Sequence, residues 1–340
     1  MSNNLPPYLT ISQDISADLA EAISVIQPDK IAILIDENTK KHCLPLIDIR
    51  HEEIIEIKSG ETEKTLETCN QIWSKLTDGG FTRKSLLVNL GGGVIGDMGG
   101  FAAATFKRGM PFINVPTTLL SQVDASIGGK LGVDFNGLKN HIGLFQDPNK
   151  VIIHTSFLNT LSERELKSGF AEIIKHSLIK SQEQWNYLLS RSFESIQWDE
   201  VIPKSIAIKS TVVDADPREK GLRKILNYGH TIGHALETHY LKSETPLLHG
   251  EAVALGMILE NEIAERMGML NNEAKTEIKK YLENIYQFPK MLPGYEELAK
   301  HLSQDKKNDQ KGLRFSLLEK VGMCTYDVLV DESILKDILR

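Results

Sequence analysis

At 340 residues the chain is long enough for about two domains. With 41% hydrophobic and 25% charged residues it has the composition of globular protein with a sizeable core. A formal charge of −7 argues against nucleic acid or an anionic membrane surface as the main partner. Cys43, Cys69 and Cys324 form an odd set without C-x-x-C spacing, as expected of reduced thiols rather than a disulfide framework. The opening MSNNLPPYLTISQD has no basic segment followed by an apolar run, so no secretory signal is expected. The longest weakly polar stretch, Val88 to Phe106, contains Asp97 and many glycines and would make a poor membrane helix. The expected compartment is the cytoplasm, with no membrane and no nucleic-acid partner.

The elements alternate in the first half. Lys30 to Asn38 (KIAILIDEN) is a short aliphatic strand. Thr62 to Gly80 has helical periodicity through Leu66, Cys69, Ile72, Trp73 and Leu76, and Gly79-Gly80 stops it. SLLVNLGGG (Ser85 to Gly93) and PFINVPTT (Pro111 to Thr118) are further strands, and KVIIHTSFLNTLSERE adds a last strand and a helix start, with Ser162 and Glu165 at capping-box spacing. This alternation predicts a mainly parallel sheet with helices on its faces. Beyond it ELKSGFAEIIKHSLIK, VIPKSIAIKSTVVDA, ILNYGHTIGHALETHY and GEAVALGMILENEIAERMG show the longer period. The expected architecture is an α/β, Rossmann-like nucleotide-binding domain over residues 1–160, followed by an all-α metal- and substrate-binding domain over 161–340.

Gly91, Gly93 and Gly96 satisfy G-x-G-x-x-G behind a strand. An ordinary dinucleotide fingerprint opens its domain and is followed about 20 residues later by an acid. Here the glycines come after a complete βα unit, and GMPFINVPTT at that distance has no acid. Asp36 instead ends an upstream strand. Bare amides at a helix N-terminus could cradle a pyrophosphate while Asp36 holds a ribose, and an acid there favours NAD over NADP. The bland alternative is a glycine turn required only by packing. SIGGKLG is no Walker motif, because Asp124 stands at the first glycine position and Leu131 replaces Ser/Thr. Lys130 and Lys139-Asn140 flank glycine loops after strand ends, an anion-binding reading set against simple solvated lysines.

His230 and His234 lie one turn apart in NYGHTIGHALE, with Asn227 on the same face and Gly229 and Gly233 thinning the helix. Glu172 sits among apolar residues, with Lys175 and His176 one turn on, and His249 stands at a helix start. A buried Glu is costly unless paired or liganded. Glu172, one of the His230/His234 pair and His249 would make a three-ligand catalytic zinc site; the alternative is a hydrogen-bonded structural pair. Lys209, Arg223, Lys130, Lys139 and Lys175 are an excess of cation that suits a substrate carrying carboxylate and phosphate, whereas Arg218 and Lys220 read as a charged turn.

Taken together, SGETEK, GGGVIGDMGGF, PTTLLSQVDASIGGK, LKNHIG, SGFAEIIKH, LRKILNYGHTIGHALE, LHGEAVALGM and DKKN resemble the 3-dehydroquinate synthase family over nearly the whole chain. The resemblance implies NAD contacts at Asp36, Asn38, Glu61, Lys64, Gly91, Gly92, Gly93, Asp97, Thr117, Thr118, Lys139, Phe157 and Thr160. It implies zinc or cobalt on Glu172, His230 and His249, with His234 left as an acid/base and Glu219 as a second proton acceptor. A seven-carbon keto sugar acid phosphate would meet Asp124, Lys130, Asn140, Lys175, Lys209, Arg223, Asn227 and one of Lys306 and Lys307. Arg108 would serve the neighbouring subunit's site, which implies a homodimer. Ser162 stands where the family usually has Pro, His154 where an acid is common, and Ser168 where an Asn sometimes contacts substrate. The first two read as local turn chemistry. The implied reaction is oxidation at C5, β-elimination of phosphate, reduction, ring opening and an internal aldol, with NAD regenerated each turnover. The rivals are a metal-dependent polyol dehydrogenase of the glycerol type, another sugar phosphate cyclase, and a catalytically dead NAD-binding regulator.

Overall fold

The aliphatic runs Ile31–Asp36 and Leu86–Gly91 are buried almost throughout, the pattern of strands covered by helices on both faces of a parallel sheet. The computed structural model describes residues 5–136, 138–241, 243–303 and 312–339, and the chain divides into two units, Met1–Ser162 and Glu163–Arg340.

In the first unit β1 (Leu9–Ile11), β2 (Ile31–Asp36), β3 (Glu53–Ile57), β4 (Leu86–Gly91), β5 (Phe112–Pro116) and β8 (Lys150–Ile153) form a sheet in the order β1-β8-β5-β4-β2-β3. Every pairing in it is parallel. Helices α1 (Ile15–Ile26), α2 (Glu37–His42), α3 (Leu66–Asp78) and α4 (Gly93–Thr105) cover it. Alternation along β2 sends Ala32 and Leu34 into a core with Cys69, Ile72 and Leu76 of α3, and Ile31, Ile33 and Ile35 into a second core with Ile15 and Leu19 of α1. A hairpin of β6 (Lys130–Phe135) and β7 (Leu138–Phe145) packs on α4, where a side chain at Gly100 would meet Leu131 at 2.5 Å. The chain passes from β2 outward to β3 and then returns to β4 on β2's other side. The carboxyl ends of β2 and β4 therefore flank a topological switch point, the place where open α/β sheets bind ligands. Asp36 and Gly91 stand at those two ends.

The second unit holds α5 (Glu163–Lys180), α6 (Gln182–Leu189), α7 (Trp198–Ala215), α8 (His230–Tyr240), α9 (His249–Arg266), α10 (Asn272–Ile285), α11 (Tyr295–Ser303) and α12 (Glu332–Ile338). It is not purely helical. An antiparallel pair, β9 (Leu313–Lys320) and β10 (Met323–Val330), turns at Gly322 with φ +82°. The expected continuous helix from Ile225 is also corrected. Leu222–Asn227 is a 3-10 stretch, and Gly229 in the left-handed region (φ +79°) starts α8 afresh. Asn227 therefore does not share a helix face with His230.

Helices α8 and α9 cross through glycine. A methyl at Gly256 would lie on the Gly229 carbonyl oxygen and 2.8 Å from the Gly233 nitrogen. Both are backbone atoms that cannot rotate away. Gly256→Ala is expected to cost about 2–3 kcal/mol, the upper range of core overpacking, read as a lower denaturant midpoint at unchanged slope. No helix among the described residues is long and apolar enough to cross a membrane.

Candidate active site and metal centre

The middle of α5, Ser168 to Ile179, is buried throughout, and Glu172 within it is wholly inaccessible. Its carboxylate forms an ion pair with Lys175 one turn on. Its Oε1 lies 3.5 Å from Nε2 of His230 and 3.5 Å from Nε2 of His249. Ligand atoms bound at about 2.0–2.1 Å in a tetrahedral arrangement stand roughly 3.3–3.4 Å apart. One carboxylate and two imidazoles at this spacing fit a zinc-type ion with a position left for substrate. Burial, then the Lys175 charge, push His230 well below the ordinary histidine range, so this imidazole is neutral and ready to ligate. At His249 burial also works downward, but hydrogen bonds with Glu172 and Glu237 outweigh it and hold the pKa up to about 10. The same carboxylates that keep a proton on His249 would favour a dication in its place.

Local structure aims both rings. His230 opens α8, and its Nδ1 lies 3.1 Å from the Tyr228 carbonyl, leaving Nε2 for the ligand direction. No side chain of the helix's own N-cap serves that start. Glu260 of α9, fully buried, does so instead, accepting from the backbone nitrogens of Gly229 (2.6 Å) and Ile232 (3.1 Å). Its negative charge sits at the positive helix end. His249 opens α9. The Leu248 nitrogen donates to Glu251, whose carboxylate takes Arg164 at 2.7 Å on both oxygens. Ser168 accepts the Gly250 nitrogen at 3.0 Å. That is a structural use for Ser168.

His234 is exposed, its ring 5.0 Å from that of His230 and 5.9 Å from that of His249. Lys175, Lys209 and Arg223 are buried. Arg223 donates to the Pro217 carbonyl, and Asn227 donates to Glu219 at 2.6 Å. Glu219 itself holds a left-handed φ of +56°. Lys306 and Lys307 lie outside the described residues.

In the first unit Asp36 caps α2, accepting from the Thr39 nitrogen and hydroxyl, with Asn38 exposed beside it. Gly92 begins α4 without a side-chain cap, and the Thr117 nitrogen donates to the Gly91 carbonyl. Lys64, buried, places its ammonium 2.6 Å from both Asp97 Oδ2 and Asn140 Oδ1, and Lys139 lies 3.8 Å from Glu61. Burial opposes the Lys64 charge, but Asp97 and Glu61 hold its pKa above the ordinary value. Asp124 lies in a π-helical turn (Ser121–Ala125). Lys130, Thr160 and Arg108 are exposed and Phe157 is buried. Lys107 and Arg108 are both left-handed (φ +49° and +69°). His154 reaches the Ser12 carbonyl at 3.0 Å, joining β8 to β1 rather than shaping a turn.

A family profile described as 3-dehydroquinate synthase N-terminal covers residues 54–168, and one described as 3-dehydroquinate synthase C-terminal covers 169–308. The chain belongs to the 3-dehydroquinate synthase family. A 3-dehydroquinate synthase from Parabacteroides distasonis is 39% identical, over 97% of this chain and 94% of its own. One from Ruminiclostridium cellulolyticum is 38% identical, over 93% and 91%. The solved 2-epi-5-epi-valiolone synthase from Streptomyces hygroscopicus, with NAD+ and Zn2+ bound, shares the fold at a TM-score of 0.84. It is 23% identical over 97% of this chain and 95% of its own.

Within this family member the sequence reading assigned no role to Glu237, Glu260 or Ser168's bond to Gly250. Glutamates inside amphipathic helices read as solvated charge. A signal was present for Glu260, which stands in the long helical run between apolar Ile258-Leu259 and Ile263.

Proposed function

We propose that the chain converts 3-deoxy-D-arabino-heptulosonate 7-phosphate to 3-dehydroquinate and phosphate, with NAD regenerated in each turnover and zinc or cobalt as resident ion. The observation that carries this reading is the Glu172, His230 and His249 set, spaced for one ion in a chain of this family. These three side chains would hold the ion. Bound there, it supplies Lewis acidity that lowers the pKa of substrate hydroxyls. His234, exposed beside the two rings, exchanges the substrate's proton with solvent. Lys175, Lys209 and Arg223 stabilise anionic charge from fixed positions, and the planar Arg223 fork suits a carboxylate. Asn227 orients Glu219 as a second proton acceptor.

In the first unit the uncapped start of α4 at Gly91–Gly93 would take the NAD pyrophosphate, with Asp36 and Asn38 towards a ribose. The Lys64–Asp97 pair, with Asp97 in α4 itself, joins Glu61, Thr117, Thr118, Lys139, Phe157 and Thr160 in the cofactor set. Asp124, Lys130 and Asn140 complete the substrate set. The valiolone synthase, which carries both NAD+ and Zn2+, supports this pairing of cofactors. A cytoplasmic homodimer, with the exposed Arg108 serving the neighbouring subunit, belongs to the same proposal.

The purified protein with zinc, a trace of NAD and 3-deoxy-D-arabino-heptulosonate 7-phosphate should release one phosphate per substrate without accumulating NADH. Stoichiometric NADH would instead identify a polyol dehydrogenase. A failure to turn over this acid, with activity on a neutral sugar phosphate, would identify another cyclase.

A further inference from the structure

The His249 imidazole stands between two carboxylates. Its Nε2 is 3.5 Å from Glu172, and its Nδ1 is 3.5 Å from Oε2 of Glu237. Glu237 lies on α8, one turn beyond His234, and is only 7% exposed. A neutral imidazole has one nitrogen with a lone pair and one bearing hydrogen, and the group beside the second decides which is which. We infer that Glu237 is a positioning residue: it takes the Nδ1–H of His249 and so commits Nε2 to the metal position. This rests on the reading of Glu172, His230 and His249 as the ligand set.

The two imidazoles are then aimed by different means. His230 uses the Tyr228 carbonyl, which no substitution removes, whereas His249 depends on a side chain. At 3.5 Å the Glu237 contact is at the outer limit of hydrogen-bond reach, and a carboxylate acceptor strengthens such a bond. A competing use of the same atoms exists, because His234, Glu237 and His249 also offer ligand atoms within 4.8 Å of one another. In that arrangement Glu237 would ligate a second ion directly. The aiming role is favoured because His249 would otherwise have to spend Nδ1 on the second ion while Nε2 faces Glu172, and because His234 is exposed.

The test is zinc binding to chelator-stripped protein, measured by competition with a chromophoric chelator, together with the melting temperature of the stripped protein. Glu237→Leu should weaken zinc binding 10–100-fold, the usual effect of removing a partner behind a ligand. Glu237→Gln, whose carbonyl oxygen still accepts the Nδ1–H, should stay within about threefold of wild type, a rescue expected of an acceptor. Stripped variants should melt close to wild type. Wild-type zinc affinity in the Leu variant would overturn the inference, and so would a Gln variant as weak as Leu. Two zinc ions per wild-type chain and one per Glu237→Leu chain would assign Glu237 to a second ion instead. Failure of the underlying reading has a separate signature: Glu172→Ala would then keep its zinc.

Discussion

His249→Ala leaves a folded chain that no longer retains zinc through dialysis and turns over at least about 10³-fold more slowly, the scale expected when the group organising the reacting oxygens is lost. The reason is geometric. Three donors around one position become two, and Glu172 keeps Lys175 and His230 beside it but loses the second imidazole. The fold should survive because the His249 side chain is a quarter exposed at a helix start, while the start itself is held by Glu251, Arg164 and Ser168. Metal analysis after dialysis, phosphate release and far-UV circular dichroism check the three parts. Retention of zinc at wild-type affinity would remove His249 from the ligand set.

Lys64→Met should destabilise the first unit by about 3–4 kcal/mol, because removing one partner of a buried pair leaves the other charge uncompensated. Asp97 and Asn140 both lose their ammonium contact, although Asp97 is partly exposed, which keeps the loss below the upper end of that range. For a domain of this size about 3 kcal/mol corresponds to roughly 6–12 °C in melting temperature. Because the folded Lys64 pKa is raised, its stabilisation is complete below the ordinary lysine value of about 10.4 and is lost only as pH climbs through the folded value. The gap between variant and wild type should therefore be flat from pH 7 to 9 in thermal melts. A gap that closes within this window would show that the ammonium does not carry the effect.

Much of the first unit was legible because β2, β4 and β5 are buried on both faces, and such strands are written as continuous aliphatic runs. Strand β3 was missed because its five residues, Glu53–Ile57, include two glutamates, and β1 because it is three residues long. The position of β3 at the sheet edge makes the ends of β2 and β4 neighbours, so the meeting of Asp36 with Gly91 depends on a pairing no local pattern carries. In the second unit the candidate ligand types were readable, but spacing alone left His230 and His234 equivalent. In the structure His230, first in α8 after the left-handed Gly229, is buried against Glu172, whereas His234 faces solvent. Glu237 and Glu260 stayed hidden because their partners come from distant stretches of chain. The β9–β10 hairpin was missed because four successive buried residues, Phe315 to Leu318, replace the alternation that marks a strand.

Helices α8 and α9 meet where the Glu260 carboxylate clasps the amides of Gly229 and Ile232 and where Gly256 presses against the Gly229 carbonyl. The buried Glu260 carboxylate and the close glycine contact thus fix how α9 approaches the start of α8. A socket built this way keeps its dimensions whether or not it is filled. Stripping and reloading should be a rapid, reversible exchange with no refolding step, and the ion becomes a replaceable part of a rigid frame.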